Sequence, residues 1–412
     1  MMMGQDATDV TTEGISPEVV RFDRRTLLRG GVALGTGLAG AGALARIGFA
    51  AQEAASTPAS SPAASSTPEI VGAANAFLDT LSDDERDAVL FDWTDTEQRQ
   101  RWSNLPEGLF ERAGLMWGDL GQPTQDAWLN LMQATLSSEG YDRVIAEWNA
   151  DDVLTSEEGG GAGGTPPAGG LGDDGPPAGG SPPAGGGGPG GGQLLYGMQY
   201  YWVAIIGTPS ETDPWQWQWG SHHVTVNATV VGSNLALTPS FIGVQPAEYT
   251  DESGNTVRPL GDIADDVFAL LNALDETQQQ TAILGDESID LVLGPGQDNR
   301  TIQPEGLPGS EMTDEQRDAF LRFIGHYTGL GNDAAAAARM AEVEAELDET
   351  HLAWYGPTTE GSAAHFRVTG PTLVIEYSPP EMGGDAANHV HGIYRDPTND
   401  YGAKYTGITI GS

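Results

Sequence analysis

Asn388-His389-Val390-His391-Gly392-Ile393-Tyr394-Arg395-Asp396-Pro397-Thr398-Asn399-Asp400-Tyr401-Gly402 sets two of the chain's seven histidines two positions apart. An arginine and two aspartates follow in a Pro/Asn-rich turn. In an extended strand, residues i and i+2 share a face about 6.5 Å apart. His389 and His391 can therefore close on one metal ion while Val390 and Gly392 face a core. The competing reading has both imidazoles bonded to Asp396 and Asp400, fixing the strand end. A second pair stands upstream, in Gly220-Ser221-His222-His223-Val224-Thr225-Val226-Asn227. Counting by twos puts His223, Thr225, Asn227 and Thr229 on a polar face and His222, Val224, Val226 and Ala228 on an apolar one. One histidine of the pair should then face a site and the other the core, and a bulge near Gly220 would exchange them. Three imidazoles with an Asn227 or Asp396 oxygen suit one transition metal: zinc, iron or copper.

Composition narrows the classes. The formal charge of −41 and pI near 4.1 argue against nucleic acid or an anionic membrane as partner, because phosphate binding needs clustered Lys and Arg. Lys404 is the sole lysine. The absence of cysteine excludes disulfides, thiol catalysis and thiolate ligands, so any metal rests on His, Asp, Glu or Asn.

In chain order, Arg24-Arg25 ahead of a short Gly/Ala/Leu run and a small-residue exit near Ala50-Ala51 reads as a twin-arginine export signal over 1–51. This places the protein in the periplasm, on the cell surface or outside the cell. Membrane contact would come only through an uncleaved leader. Residues 52–68 form a Ser/Thr/Pro/Ala stalk. From 69 to 154 the pattern is helical, with Val71, Ala74, Phe77, Leu78 and Leu81 at three- and four-residue steps. Helices are expected at 109–117, 124–136 and 141–148, and Trp93, Trp102, Trp117, Trp128 and Trp148 read as packing residues. Ser82-Asp83-Asp84-Glu85 is a capping box. Residues 155–193 are an insertion. From Gly159 to Gln193 it holds 18 Gly and 7 Pro, too few apolar groups to offset the entropy of ordering it.

Beyond the insertion, Met198–Ile206 alternates as a strand. Trp215, Trp217 and Trp219 then line one face of the next, either buried under a helix or stacking on a sugar. Helices return at 262–274, 275–284, 313–327 and 333–347, and the last 60 residues are β. Asp275-x-x-Gln278 and Thr313-x-x-Gln316 repeat the capping arrangement of Ser82-x-x-Glu85, which reads as shared local physics and not as an internal repeat. His326 reads as a core histidine with a partner, and His351 as a cation at a helix C-terminus.

Several blocks together carry a resemblance: Gly207-Thr208-Pro209-Ser210, Trp217 through His223, Ala353-Trp354-Tyr355-Gly356, Phe366 through Pro371, Ile375-Glu376-Tyr377, and Asn388 through Gly402. Leu81-Ser82-x-x-Glu85-Arg86, Arg101-Trp102 and Gly140-Tyr141 through Val153-Leu154 extend it. In this order they resemble domain-of-unknown-function family 3500. The resemblance implies one family domain on both sides of the Gly/Pro tract and supplies no activity. His365 departs from the family pattern, which has an aromatic residue there.

The expected architecture is a single α+β domain over 69–412, an antiparallel sheet covered by helices from both ends of the chain. The expected function is a metal-dependent hydrolase with His222 or His223, Asn227, His389, His391 and Asp396 as candidate ligands. Arg395 would stabilise developing oxyanion charge, and Asp400 or Glu376 would act as base. The alternative is a non-catalytic cell-surface binding protein for an anionic or sugar ligand.

Overall fold

The computed structural model describes residues 67–157, 195–380, 385–408 and 410. The leader, nearly all of the stalk and most of the expected insertion lie outside the described residues.

Six longer helices, α1 (Thr67–Asp79), α2 (Gln122–Thr135), α3 (Ser138–Glu157), α4 (Gly261–Ala273), α5 (Asp314–Thr328) and α6 (Asp333–Ala345), accompany the sheet. Its long strands are β1 (Trp202–Ile206), β2 (Trp215–Gly220), β3 (Thr225–Val231), β4 (Ser240–Val244), β5 (His351–Tyr355), β6 (His365–Thr369), β7 (Val374–Ser378) and β8 (Val390–Arg395). They pair antiparallel in the order β1-β2-β3-β4-β8-β7-β6-β5. The chain is thus the expected α+β domain. α3 runs three residues into the segment expected to be insertion, and the helix expected at 109–117 is instead irregular chain ending in a short strand, Leu115–Met116.

The order is a palindrome centred on the β4–β8 pair, and the elements before it match on both sides. In the first half, α1 leads to a Ser82 capping box. Leu90–Phe91 then runs parallel to β1, Leu115–Met116 runs antiparallel to it, and α2, α3 and β1–β4 follow. In the second, α4 leads to an Asp275 capping box. Ile283–Gly285 runs parallel to β5, Leu307–Pro308 runs antiparallel to it, and α5, α6 and β5–β8 follow. The chain therefore contains an internal repeat, with a local two-fold axis between β4 and β8, and the expectation that it has none is corrected. The Ser82 and Asp275 capping boxes are its sequence trace; the Thr313 box has no counterpart, since α2 begins after Gly121 without a side-chain cap.

Side-chain alternation gives the sheet two unlike faces. One carries Trp215, Trp217 and Trp219, Val226, Ala228 and Val230 under α1–α3, and Ile242, Tyr394, Ile375, Phe366 and Trp354 under α4–α6. The three indoles are fully buried, with Trp217 edge-on to Trp128 of α2 at 5.8 Å, so they form the inter-layer core and do not stack on a sugar. The other face is buried but polar. There Gln98 bonds Gln218 at 3.1 Å, Arg99 bonds Gln216 at 3.1 Å, and Trp102, Phe241, Ile393 and Tyr401 form a small apolar patch.

β3 and β4 share a single paired position, Thr225 opposite Phe241, and then separate. The resulting fork interrupts the sheet beside β8, and the histidines gather there.

Candidate metal centre

Each side chain in the fork is placed by a local rule. His222 and His223 are not on a strand. They occupy the turn between β2 and β3, closed by the Ser221 N–H donating to the Val224 carbonyl at 2.9 Å, so strand parity does not separate them. Both are buried, and both approach Asp151 of α3. His391 lies on β8 opposite Gly243, and His389 just precedes that strand. Gly243 has no side chain for a geometric reason. A Cβ there would lie 2.9 Å from the His223 carbonyl oxygen, 3.0 Å from that of Val390 and 3.3 Å from His391 Cδ2.

Three Nε2 atoms converge: His223 to His389 at 3.2 Å, and His389 to His391 at 3.0 Å. Ligands about 2.05 Å from a tetrahedral ion stand about 3.3 Å apart, so the spacing matches three imidazoles around one metal. The Asp151 carboxylate accepts from His223 Nδ1–H at 2.6 Å, which leaves the His223 Nε2 lone pair directed at the same point. Tyr201 Oη donates to the second Asp151 oxygen at 2.6 Å and fixes the carboxylate. Burial, reinforced by His223 and His389, holds His391 well below the ordinary histidine range, so it is neutral and able to ligate. His389 and His391 are 9% and 8% exposed against 1% for His223, so solvent approaches from the β8 side.

One turn before Asp151 on α3, Glu147 accepts the Gly243 N–H at 3.3 Å, a donor left unpaired where β3 leaves β4. Burial pushes the Glu147 carboxyl up to about 8. Neither Glu147 nor Asp151 was singled out from the sequence. Their signal was present: two acidic residues fall within the apolar stripe of Val144, Trp148 and Leu154, where a carboxylate needs a partner.

The other expected site residues lie elsewhere. The Asn227 side chain accepts from Gln218 at 3.0 Å and donates to the Pro239 carbonyl at 2.9 Å. Asp396 accepts from Thr398 and lies 3.6 Å from Arg339, five strand positions or roughly 16 Å beyond His391. Arg395 is bonded to Asp400 at 2.8 Å, Asp298 at 3.0 Å and the Leu293 and Gly294 carbonyls, a buried internal network. Glu376 accepts the Val292 and Leu293 N–H groups and pairs with Arg367 at 3.7 Å. His326 bonds Asp266 at 2.8 Å, as a satisfied histidine should, and His351 opens β5 with Nδ1 on the Glu349 carbonyl instead of capping a helix.

The second half repeats the arrangement with other chemistry. Its corresponding turn is closed by Gly370 N–H donating to the Leu373 carbonyl at 2.7 Å. Glu346 and Asp151 each fall thirteen positions beyond the first residue of their helix. Thr372 Oγ1 donates to Glu346 at 2.6 Å, as His223 does to Asp151. Beyond Thr372 stands the Arg339 guanidinium, 3.0 Å from its hydroxyl and 3.1 Å from Tyr394 Oη. A cavity of about 140 Å³ opens beside Arg339, lined also by Thr238, Tyr327, Glu342 and Asp396. It lies away from the histidines, so the cavity and the metal-ligating donor set occupy different places.

The fold and this cluster define an α+β protein with a buried three-histidine centre. The chain belongs to the family described as "Protein of unknown function (DUF3500)", whose profile matches residues 63–403. No curated protein and no solved structure matches the chain.

Proposed function

We propose that the protein is a metal-dependent hydrolase acting on small substrates, with one transition metal held by His223, His389 and His391. The observation that carries this reading is the convergence of three Nε2 atoms at ligand spacing, one of them oriented by Asp151. With His223, His389 and His391 holding the ion, a fourth position would be open to water, whose pKa a bound metal would lower to about 7. Among the described residues no fourth His, Asp or Glu joins the group. The repeat adds support, because beyond the equivalent carboxylate–turn pair the second half holds a guanidinium cation. Ligands less than a tenth exposed favour a small substrate, and the burial of the indole strand removes the support for sugar stacking. Zinc suits three neutral nitrogens best, with iron and copper as competitors. Export by the twin-arginine route, which carries folded and loaded proteins, fits this assignment.

The test is elemental analysis of chelator-free protein beside His389→Ala/His391→Ala, followed by assays on chromogenic carboxyl and phosphate esters. Transition metal in the parent, lost in the variant together with ester cleavage, is the expected result. A metal-free parent, or a metal-loaded parent that cleaves neither class of ester, would overturn the assignment.

A further inference from the structure

We infer that a second metal ion binds on the other side of His223, between Asp151 Oδ1, His222 Nε2 and His223 Nδ1, making the centre dinuclear with the His223 ring as its bridge. This rests on the three-histidine reading, since the shared ring is one of its ligands.

Two separate observations lead here. First, the three ligand atoms lie within 4.8 Å of one another and all three residues are buried. Asp151 Oδ1 stands 2.6 Å from His223 Nδ1 and 3.5 Å from His222 Nε2. Second, His222 is 4% exposed and, among the described residues, neither of its ring nitrogens makes a hydrogen bond. A buried imidazole normally donates from one nitrogen and accepts at the other. His222 does neither, although its Nε2 faces a carboxylate oxygen. The neighbouring Ser221 hydroxyl likewise makes no hydrogen bond among the described residues. A neutral imidazole with a lone pair on a buried carboxylate is the donor set of a divalent transition metal.

The protons balance. With one ion bound, His223 carries hydrogen on Nδ1 and donates it to Asp151. Entry of the second ion replaces that hydrogen, one proton leaves to solvent, and the imidazolate bridges both ions. Asp151 changes from hydrogen-bond acceptor to ligand while Tyr201 continues to hold its other oxygen. The nearby Arg112 cation is offset by Glu107 at 3.6 Å.

The experiment is zinc stoichiometry after saturation and desalting, on the full chain and on His222→Ala, Asp151→Asn and His389→Ala/His391→Ala. Copper-loaded samples are read in parallel by electron paramagnetic resonance. Two equivalents in the parent and one in His222→Ala are expected, with a copper signal suppressed by coupling across the ring in the parent and restored in His222→Ala. The equivalent retained by His222→Ala also reports that it has folded. Asp151→Asn, which keeps the side-chain shape, should likewise fall to one. One equivalent in both parent and His222→Ala overturns the second site and leaves the first standing. Two equivalents in His222→Ala also overturn it. No zinc in the parent overturns both.

Discussion

At the residue scale the centre depends on pairs that a single substitution can separate. His389 and His391 were readable because spacing by two is a geometric statement. Asp151 was not, because a helix buries a carboxylate only against a partner supplied by distant chain. Glu147 gives a pH test with a definite sign. In the folded chain it keeps its proton up to about pH 8, whereas the unfolded chain releases it near the ordinary 4.5. Between those values the unfolded state binds fewer protons, so stability falls as pH rises and levels off above 8. The loss should be on the order of a few kcal/mol in chelator-treated protein. Glu147→Gln keeps an acceptor for the Gly243 N–H and should flatten this slope. Urea unfolding at pH 5, 6.5 and 8 measures it, and equal slopes in parent and variant would contradict the burial argument.

At the element scale, periodicity located most helices and strands to within a few residues, because each buries one face. The segment from 101 to 116 was missed for the complementary reason. It lies against the polar face of the sheet, tied by side chain to carbonyl bonds such as Arg112 to Ser103 at 2.9 Å, and hydrogen bonds leave no periodic trace. The fork was equally invisible, since sequence alternation continues through β3 and β4 whether or not they pair. Gly243→Ala tests the fork directly. The added methyl meets two carbonyl oxygens and the His391 ring, so the strands must spread. A loss of roughly 1–3 kcal/mol and at least tenfold weaker zinc binding are expected from thermal unfolding and zinc titration. Unchanged zinc affinity would mean that the fork does not hold the histidines at ligand spacing.

At the scale of the whole molecule, two copies of one unit share a sheet through β4 and β8, and each copy places a carboxylate and a turn residue at the same point. Only the first is furnished with imidazoles from its partner's strand; the second holds Arg339. The repeat escaped sequence reading because equivalent positions now carry unlike side chains, His223 against Thr372 and Asp151 against Glu346. Arg339→Leu should destabilise the chain by roughly 3–5 kcal/mol. It leaves the buried Asp396, whose carboxyl burial already raises, without its guanidinium partner, while Glu342 keeps only Lys404. It should leave metal content unchanged. Calorimetry and elemental analysis of the same sample read both, and loss of metal would show that the two halves do not carry separate sites.

The most direct measurement on the centre is X-ray absorption at the zinc edge of protein loaded with one equivalent. Histidine coordination predicts a nitrogen shell near 2.0 Å with the outer scattering of three imidazole rings, and fewer rings in His391→Ala. A shell of oxygens without imidazole scattering, or a spectrum unchanged by His391→Ala, would contradict the three-histidine assignment.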